Sequence, residues 1–175
     1  LFLTCALAFI SIANAQEVRV IDNKGTIDTI LKQTTAERYD TNGEVEITNN
    51  ELIIPFNAPG IIDLNDYTTT TTSIKVIKAG TYRVTYRVTA QITSGTSRSG
   101  TEYKLLKNDV VVPGSYSAAY HRTLAVSKDT ASASRILVLA ALDVLKVQGK
   151  RYAGNNNTTI KTVAQGSSFL VERIK

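Results

Sequence analysis

The amino-acid sequence predicts an all-β protein, an antiparallel β-sandwich preceded by a short β-prone arm. The clearest evidence is residues 82–92, where Tyr, Val, Ala and Ile alternate strictly with Arg, Thr and Gln, as in a half-buried strand. About eight to ten short segments of this kind, separated by Gly, Asn and Ser, favour an antiparallel sandwich, jelly roll or Greek key. A length of 175 residues, 43% of them hydrophobic, fits one domain with at most an added arm.

Residues 1–15 are predicted to be a secretory signal peptide. Residues 1–12 are almost wholly apolar, and the small-x-small sequence Ala-Asn-Ala follows at residues 13–15. The apolar stretch is shorter than the roughly 20 residues that span a bilayer. The absence of Met indicates a truncated signal, and a buried N-terminal helix or strand is the alternative. We therefore expect a secreted or extracellular-surface protein that lacks Cys, and lacks a membrane span, once the signal is removed.

Charge divides the rest of the chain into a predicted acidic arm, residues 16–48, and a predicted basic head, residues 49–175. The arm has seven acidic and four basic residues, and the head has eight acidic and sixteen basic residues. Two β-prone pieces surround an Asn/Gly turn in the arm, and residues 32–43 are predicted to be a linker. The basic residues of the head are scattered along strands, so we expect no nucleic-acid partner.

Within the head, apolar and β-branched runs predict the strands, and turn residues separate them. A tight turn is expected at Asn108-Asp109. The continuous apolar run at residues 135–142 predicts a strand covered on both faces, with a short helix as the alternative. The threonine run at residues 68–72 is either a sheet edge or a set of hydroxyls offered to a sugar. The predicted strands are residues 51–56, 73–77, 82–92, 102–107, 110–112, 135–142, 144–148, 159–164 and 168–174.

Four of these segments, in this order, resemble the tumour-necrosis-factor/complement-type jelly roll. They are IKAGTYRVTYRV at residues 77–88, LLKNDVVVPGS at 105–115, SASRILVLAALDVLKV at 132–147 and SSFLVERI at 167–174. Asn108-Asp109 stands where the family favours Asn-Gly, and Leu142-Asp143 where it favours Gly-Asp. The sequence is most similar to the C-terminal domain of the bacterial collagen-like exosporium glycoprotein, which suggests a bacterial or phage source.

The resemblance implies a homotrimer in which one sheet of each protomer packs around a threefold axis. Large amphipathic side chains suit both a core and an interface. Tyr82 and Tyr86 on the long strand, together with Phe169 on the last strand, are therefore the candidates for core or trimer-interface positions.

No catalytic set is found in the sequence, so the protein is predicted not to be an enzyme. His121 is the single histidine, Cys5 lies in the signal segment, and no Gly-x-Ser-x-Gly motif is present. No cofactor is expected apart from calcium, for which Asp63, Asn65 and Asp66 offer spaced oxygen ligands. The segment departs from an EF-hand because it lacks a glycine at the sixth position and a glutamate at the twelfth.

Ligand binding is expected on loops, since binding residues concentrate there. The longest predicted loops are residues 93–101, 115–134 and 150–158. Aromatic and Arg side chains are typical of recognition patches. The candidates are Arg98, Tyr116, Tyr120, His121, Arg122, Lys150, Arg151 and Tyr152.

Three functions follow from these observations. The first is an exported, non-enzymatic, trimeric jelly-roll module for surface binding or assembly, with itself and a surface glycan as partners. The second is a structural virion or appendage protein, a fibre head or decoration trimer, that docks on a larger assembly through residues 16–43. The third is a secreted carbohydrate-active enzyme.

Overall fold

The computed structural model describes residues 18–21, 27–30, 33–95, 98–122, 128–154 and 158–175. The chain divides into two compact units, residues 1–32 and residues 33–175. In the first unit, β1 (Val18–Ile21) pairs antiparallel with β2 (Ile27–Ile30), as the β-prone pieces of the arm predicted. The predicted signal segment lies outside the described residues.

The described part of the second unit contains only strands as regular secondary structure, and they pair antiparallel. No helix in the described ranges is long and apolar enough to cross a membrane. The strands are β3 (Thr34–Tyr39), β4 (Leu52–Ile53), β5 (Ala58–Ile62), β6 (Tyr67–Thr69), β7 (Ile74–Val76), β8 (Gly80–Ser94), β9 (Ser99–Lys107), β10 (Val110–Val111), β11 (Ser117–His121), β12 (Lys128–Leu139), β13 (Val144–Gly154), β14 (Thr159–Thr162) and β15 (Ser168–Arg173).

These strands form two sheets. The first, here called the β8 sheet, has the order β12-β8-β15-β3-β5, and β14 also pairs with β8. The second, the β9 sheet, has the order β10-β9-β13-β7-β6, and β11 pairs with β9 while β4 pairs with β13. Neighbours in each sheet come from distant parts of the chain, as in a jelly roll. The predicted all-β antiparallel sandwich is confirmed.

The core lies between the sheets, and the alternation of β8 supplies much of it. Tyr82 and Tyr86 are buried, as are Val84 and Val88 between and beyond them. The ring of Phe169 on β15 packs against that of Phe56 at a centroid distance of 5.6 Å. Burying each such side chain contributes about 1.5–3 kcal/mol. The strand predicted most clearly by alternation is therefore the centre of the fold.

The prediction of a linker over residues 32–43 is wrong, because β3 lies inside the β8 sheet between β15 and β5. Its core-facing residues are Thr34, Ala36 and Arg38, so the strand lacks the usual apolar alternation. The Arg38 Nε donates to the carbonyl of Phe56 at 2.8 Å, and its Nη1 donates to Thr69 Oγ1 at 3.0 Å. These hydrogen bonds let a cation be buried where a sequence pattern would require an apolar residue.

This correction also changes the distribution of charge. Residues 33–175 carry 17 basic and 12 acidic residues, a net charge of +5, whereas residues 1–32 carry three of each. The acidic residues after position 32 belong to the folded head, where Glu44 pairs with Lys161 at 2.8 Å. The acidic arm and the strongly basic head are therefore less distinct than the sequence predicted.

Two other stretches predicted as turns or loops contain strands. β5 includes Pro59 and Gly60, residue types that are typical of turns, and it lies at the end of the β8 sheet. β11 falls within the predicted loop at residues 115–134, and β12 begins at Lys128 rather than at Arg135. The predicted loop at residues 150–158 is also shorter, because β13 continues to Gly154.

The apolar run at residues 135–142 forms part of β12, but the prediction that it is covered on both faces is wrong. In the described residues β12 is the end strand of the β8 sheet. Ile136 is 61% exposed and Val138 is 79% exposed. An uncovered apolar edge strand is unusual in a stable monomer.

Candidate functional site

Three exposed tyrosines come together on the outer face of the β9 sheet. We call this cluster the tyrosine platform. Four of its residues are candidates predicted from the sequence, whereas Gly100 and Glu102 are not. The platform consists of Gly100 and Glu102 on β9, Tyr116 and Tyr120 next to or on β11, and Lys150 and Tyr152 on β13.

The alternation of β11 places Tyr120 on the outer face of the sheet. Ala119 and His121 are buried, whereas Tyr120 lies on the opposite face and is exposed. Tyr120 is directly opposite Gly100 in the β9–β11 ladder, and Ala118 is opposite Glu102. Residues directly opposite each other in antiparallel strands share a face, so Tyr120 and Glu102 lie on the same surface.

Gly100 provides the floor on which Tyr152 lies. A Cβ atom at Gly100 would be 2.5 Å from Tyr152 Cζ, so the phenol ring occupies the place of the missing side chain. Tyr152 is in a β-bulge, since the β9–β13 register shifts between Arg151 and Ala153. Bulges commonly re-aim a side chain at functional sites. The bulge on β13 and the lack of a side chain at Gly100 together place the Tyr152 ring over Gly100. Because Tyr120 is the residue opposite Gly100 on β11, the two tyrosines lie next to the same glycine.

Glu102 connects the remaining polar groups of the platform. The Tyr116 hydroxyl donates to Glu102 Oε2 at 3.0 Å, and Lys150 Nζ lies 3.4 Å from Glu102 Oε1. Partial desolvation, followed by the hydrogen bond and negative charge of Glu102, raises the pKa of Tyr116. Tyr116 therefore stays a neutral hydroxyl donor at physiological pH. The negative charge of Glu102 and the positive charge of Lys150 form an ion pair.

His121 does not belong to the platform, and the expectation that it is a loop residue is wrong. It is the last residue of β11 and is fully buried, with Nε2 at 3.1 Å from Thr101 Oγ1. The hydrogen bond to a neighbouring core-facing hydroxyl explains why an imidazole can be accommodated inside.

The basic candidates are dispersed. Arg151 is turned away from the platform, and its guanidinium donates to Asn49 Oδ1 at 2.8 Å and to the Thr158 carbonyl. Arg98 and Arg122 are exposed beside the β9 and β11 ends. Of the basic candidates, Lys150 is the one that belongs to the tyrosine platform, through its ion pair with Glu102.

Tyr82, Tyr86 and Phe169 point into the protomer and are at most 1% exposed. The Tyr86 hydroxyl donates to the carbonyls of Ser115 at 2.6 Å and Tyr103 at 2.9 Å. These side chains are core residues, so an interface between protomers has to use other surfaces.

The Asp63–Asn65–Asp66 turn is closed by its own chain. Asp63 Oδ1 accepts from the Asn65 amide, while Asp66 is buried beside Lys78 at 2.6 Å and accepts from Thr34 at 2.8 Å. Asp66 thus already has a cationic partner and a structural role in the fold. In the ranges that the structure describes, no group of three or more His, Cys, Asp or Glu residues could hold a metal ion.

A second surface feature, absent from the sequence-based candidates, is an apolar patch at one end of β12. A groove of about 260 Å³ lies there, lined by residues 107, 110–113, 137 and 138. We call it the β12 patch. Its exposed apolar residues are Val138, Val110 and Val111, with 79, 69 and 46% exposure, and Ile136, at 61% exposure, lies on the same face of β12 as Val138 and extends the patch.

Comparisons with known proteins identify the fold and no closer relation. No protein-family model matches the chain, and no curated protein matches it. A crystal structure of murine APRIL at pH 8.5 is similar with a TM-score of 0.56 at 11% identity, covering 82% of this chain and all of that one. Eiger TNF from S. frugiperda is similar with a TM-score of 0.54 at 14% identity, covering 82% and 93% respectively. The tumour-necrosis-factor-like jelly roll is confirmed, and the closer likeness to the exosporium glycoprotein stays a prediction.

Proposed function

We propose that this protein is an exported, non-enzymatic jelly-roll module that assembles as a homotrimer and binds a surface through the outer face of its β9 sheet. The single observation that carries the proposal is the β12 patch, with Val138 79% exposed at the edge of the β8 sheet. Export is supported by the signal-type segment at residues 1–15, and trimerisation by the resemblance to trimeric jelly rolls.

The β12 patch is suited to contact another copy of the chain. Contiguous exposed apolar residues rimmed by polar ones typically mark protein interfaces. The outward face of β8 and β12 beyond the patch is polar. Its side chains hydrogen-bond to one another, for example Thr85 with Ser134 at 2.8 Å and Thr89 with Thr130 at 2.7 Å. The apolar area available for self-association is therefore concentrated at the end of β12.

Light scattering at micromolar concentration tests assembly. The wild-type chain is expected to have three times the protomer mass, and the double variant Ile136→Ser, Val138→Lys is expected to be monomeric. Leu64→Ser is the matched control, because Leu64 is 77% exposed but lies in the turn between β5 and β6. A monomeric wild-type chain contradicts the proposal, as does a double variant that remains trimeric.

A structural virion or appendage protein is the second candidate, favoured by the separate unit that carries the β1–β2 hairpin. Because β3 is part of the head, a docking arm would comprise residues 16–32 rather than 16–43. Photo-cross-linking from residues 16–32 in the producing cell is expected to capture a larger assembly in this case. Recovery of the chain free in the medium, with no cross-linked partner, contradicts it.

A further inference from the structure

We infer that the tyrosine platform binds the pyranose rings of a neutral glycan. The inference deepens the proposed surface-binding role, and it rests on that role for the trimer that multiplies a weak site. Its basis is the joint arrangement of three phenol rings, a side-chain-free floor, and a carboxylate paired with an ammonium group.

The exposed rings are concentrated in one place. Tyr116, Tyr120 and Tyr152 expose 58, 45 and 46% of their surface on the same face of the β9 sheet. Four of the other five tyrosines are buried, and Tyr39, at 37% exposure, lies on β3 of the opposite sheet. Tyrosine offers a flat apolar face and a polar edge, which complements the C–H face and hydroxyls of a pyranose.

The platform is pre-arranged rather than assembled on binding. The hydrogen bond to Glu102 positions Tyr116, and the absence of a side chain at Gly100 leaves the space in which the Tyr152 ring packs against the sheet. Tyr120 stands across the ladder from the same glycine. Groups already held in place lose less conformational entropy on binding, so more of the contact energy is retained as affinity.

The polar groups favour hydroxyls over charged groups in the ligand. Glu102 has acceptor positions beyond those used by Tyr116 and Lys150, and the ammonium of Lys150 has three donors. Because the two charges lie 3.4 Å apart, they largely cancel at longer range. A neutral sugar can therefore exchange hydrogen bonds with both groups, whereas an anionic sugar gains no net attraction from this pair of charges.

A sugar also fits this face better than a protein partner does. Protein interfaces have an apolar centre. The exposed aliphatic side chains around β12 lie in the β12 patch and not among the three tyrosines. The neighbours of the tyrosines on the β9 sheet are instead the small Ala118 and the paired polar residues Lys104 and Glu51. Tyrosine rings whose polar edges lie among polar groups suit a ligand that is itself apolar on one face and polar at its rim.

One sugar on an open platform is expected to bind with a Kd on the order of 1 mM. Three platforms on one trimer strengthen apparent binding to a multivalent surface by about 10²–10⁴-fold without new contacts. The inference therefore predicts weak binding of single glycosides and strong binding of clustered ones.

The test uses the full chain with albumin that carries clustered glucosyl, galactosyl, mannosyl or N-acetylglucosaminyl groups. Albumin carrying sialyllactose and unmodified albumin are the comparison probes. The variants are Tyr120→Ala, Tyr152→Ala and Gly100→Val, and Tyr39→Ala is the matched control on the other sheet. Urea denaturation verifies that each variant remains folded, and light scattering in the same buffer reports the mass.

Wild type and Tyr39→Ala are expected to bind at least one neutral glycosyl albumin, and the three platform variants to bind it at least about 10-fold more weakly. A trimeric wild type that binds none of the neutral probes, or binds the sialylated probe or bare albumin equally well, overturns the inference and leaves the trimer proposal standing. If the chain is monomeric, the trimer proposal fails, and saturation-transfer NMR with the methyl glycosides decides the inference separately. Saturation transfer that persists in Tyr152→Ala overturns it.

Discussion

At the residue scale, the buried carboxylate of Asp66 is the common partner of Thr34, Lys78 and Arg173. Burial alone would raise its pKa, but the hydrogen bonds from Lys78 and Thr34 and the positive charges of Lys78 and Arg173 lower the pKa overall. Asp66 thus joins β3 to the segment after β7 and to the end of β15. This contact stabilises the fold only while Asp66 is ionised.

We predict that this contribution is lost in acid. Because the folded pKa lies below the unfolded value of 3.8, the stabilisation is complete above about pH 4–5 and disappears as the pH falls through the folded pKa. Asp66→Asn is expected to lower the free energy of unfolding by about 1–2 kcal/mol at pH 7, with a smaller difference from wild type near pH 2. Urea denaturation at several pH values measures the difference.

Asp109→Asn is the matched control for this experiment. Asp109 also pairs with a lysine at 2.7 Å, but it is 71% exposed. Exposed ion pairs contribute about 0–1 kcal/mol, so this variant should unfold close to wild type at both pH values. An Asp66→Asn variant as stable as wild type at pH 7 would contradict the role given to Asp66.

At the scale of the strands, the pairing of β9 with β13 assigns different roles to two glycines. Gly149 faces the core, and an added Cβ would lie 2.7 Å from the buried ring of Tyr103 and 3.0 Å from Ile54 Cδ1. Gly100 faces outward, and its added Cβ would meet the exposed Tyr152 ring, which can swing aside. In the same strand pair, therefore, Gly149 leaves room for core packing and Gly100 leaves room for the Tyr152 ring of the platform.

Substitution of the two glycines by alanine should change the free energy of unfolding by different amounts. Gly149→Ala is expected to destabilise the protein by about 1–3 kcal/mol, because overpacking a dense core forces neighbouring side chains to move. Gly100→Ala is expected to change stability by less than about 0.5 kcal/mol while displacing Tyr152. Thermal and urea unfolding of the pair measure this contrast, and equal destabilisation would place Tyr152 in the core rather than on the platform.

At the scale of the whole molecule, the eight tyrosines divide between interior and surface. Four of them are buried between the sheets, and burial raises the pKa of Tyr67 and of Tyr103 to about 12. A phenol whose folded pKa exceeds the unfolded value of 10 stabilises the fold below pH 10, and that stabilisation is lost as the pH rises toward 12.

Alkaline titration should therefore be biphasic. Phenolate absorbance from the four buried rings is expected to appear only together with loss of the β-sheet circular dichroism signal, above pH 10. Tyr103→Phe should reduce the amplitude of this late phase, because the pKa of the buried Tyr103 is raised to about 12. Ionisation of all eight tyrosines with the sheet signal intact is the result that would refute the arrangement of the core.

The sandwich fold could be predicted from sequence because its central strand buries every second residue. The alternation along residues 82–92 predicted β8. The Asn108-Asp109 pair predicted the turn between β9 and β10, and these residues have positive φ angles of 49° and 64°. Four residues of the platform could be predicted because they are aromatic or basic side chains in predicted loops, but their convergence needed the register of β11 and β13 on β9.

The sequence by itself determined the all-β class and the central strand, because both follow from local side-chain periodicity. Only the tertiary structure showed that β3 is part of the sandwich, that His121 is buried and that the end of β12 is exposed. Thr34 and Arg38 are buried through partners more than fifteen residues away, and the exposure of Val138 depends on the end position of its strand. Such contacts leave no local pattern, because burial of a polar group is decided by the distant groups that hydrogen-bond to it.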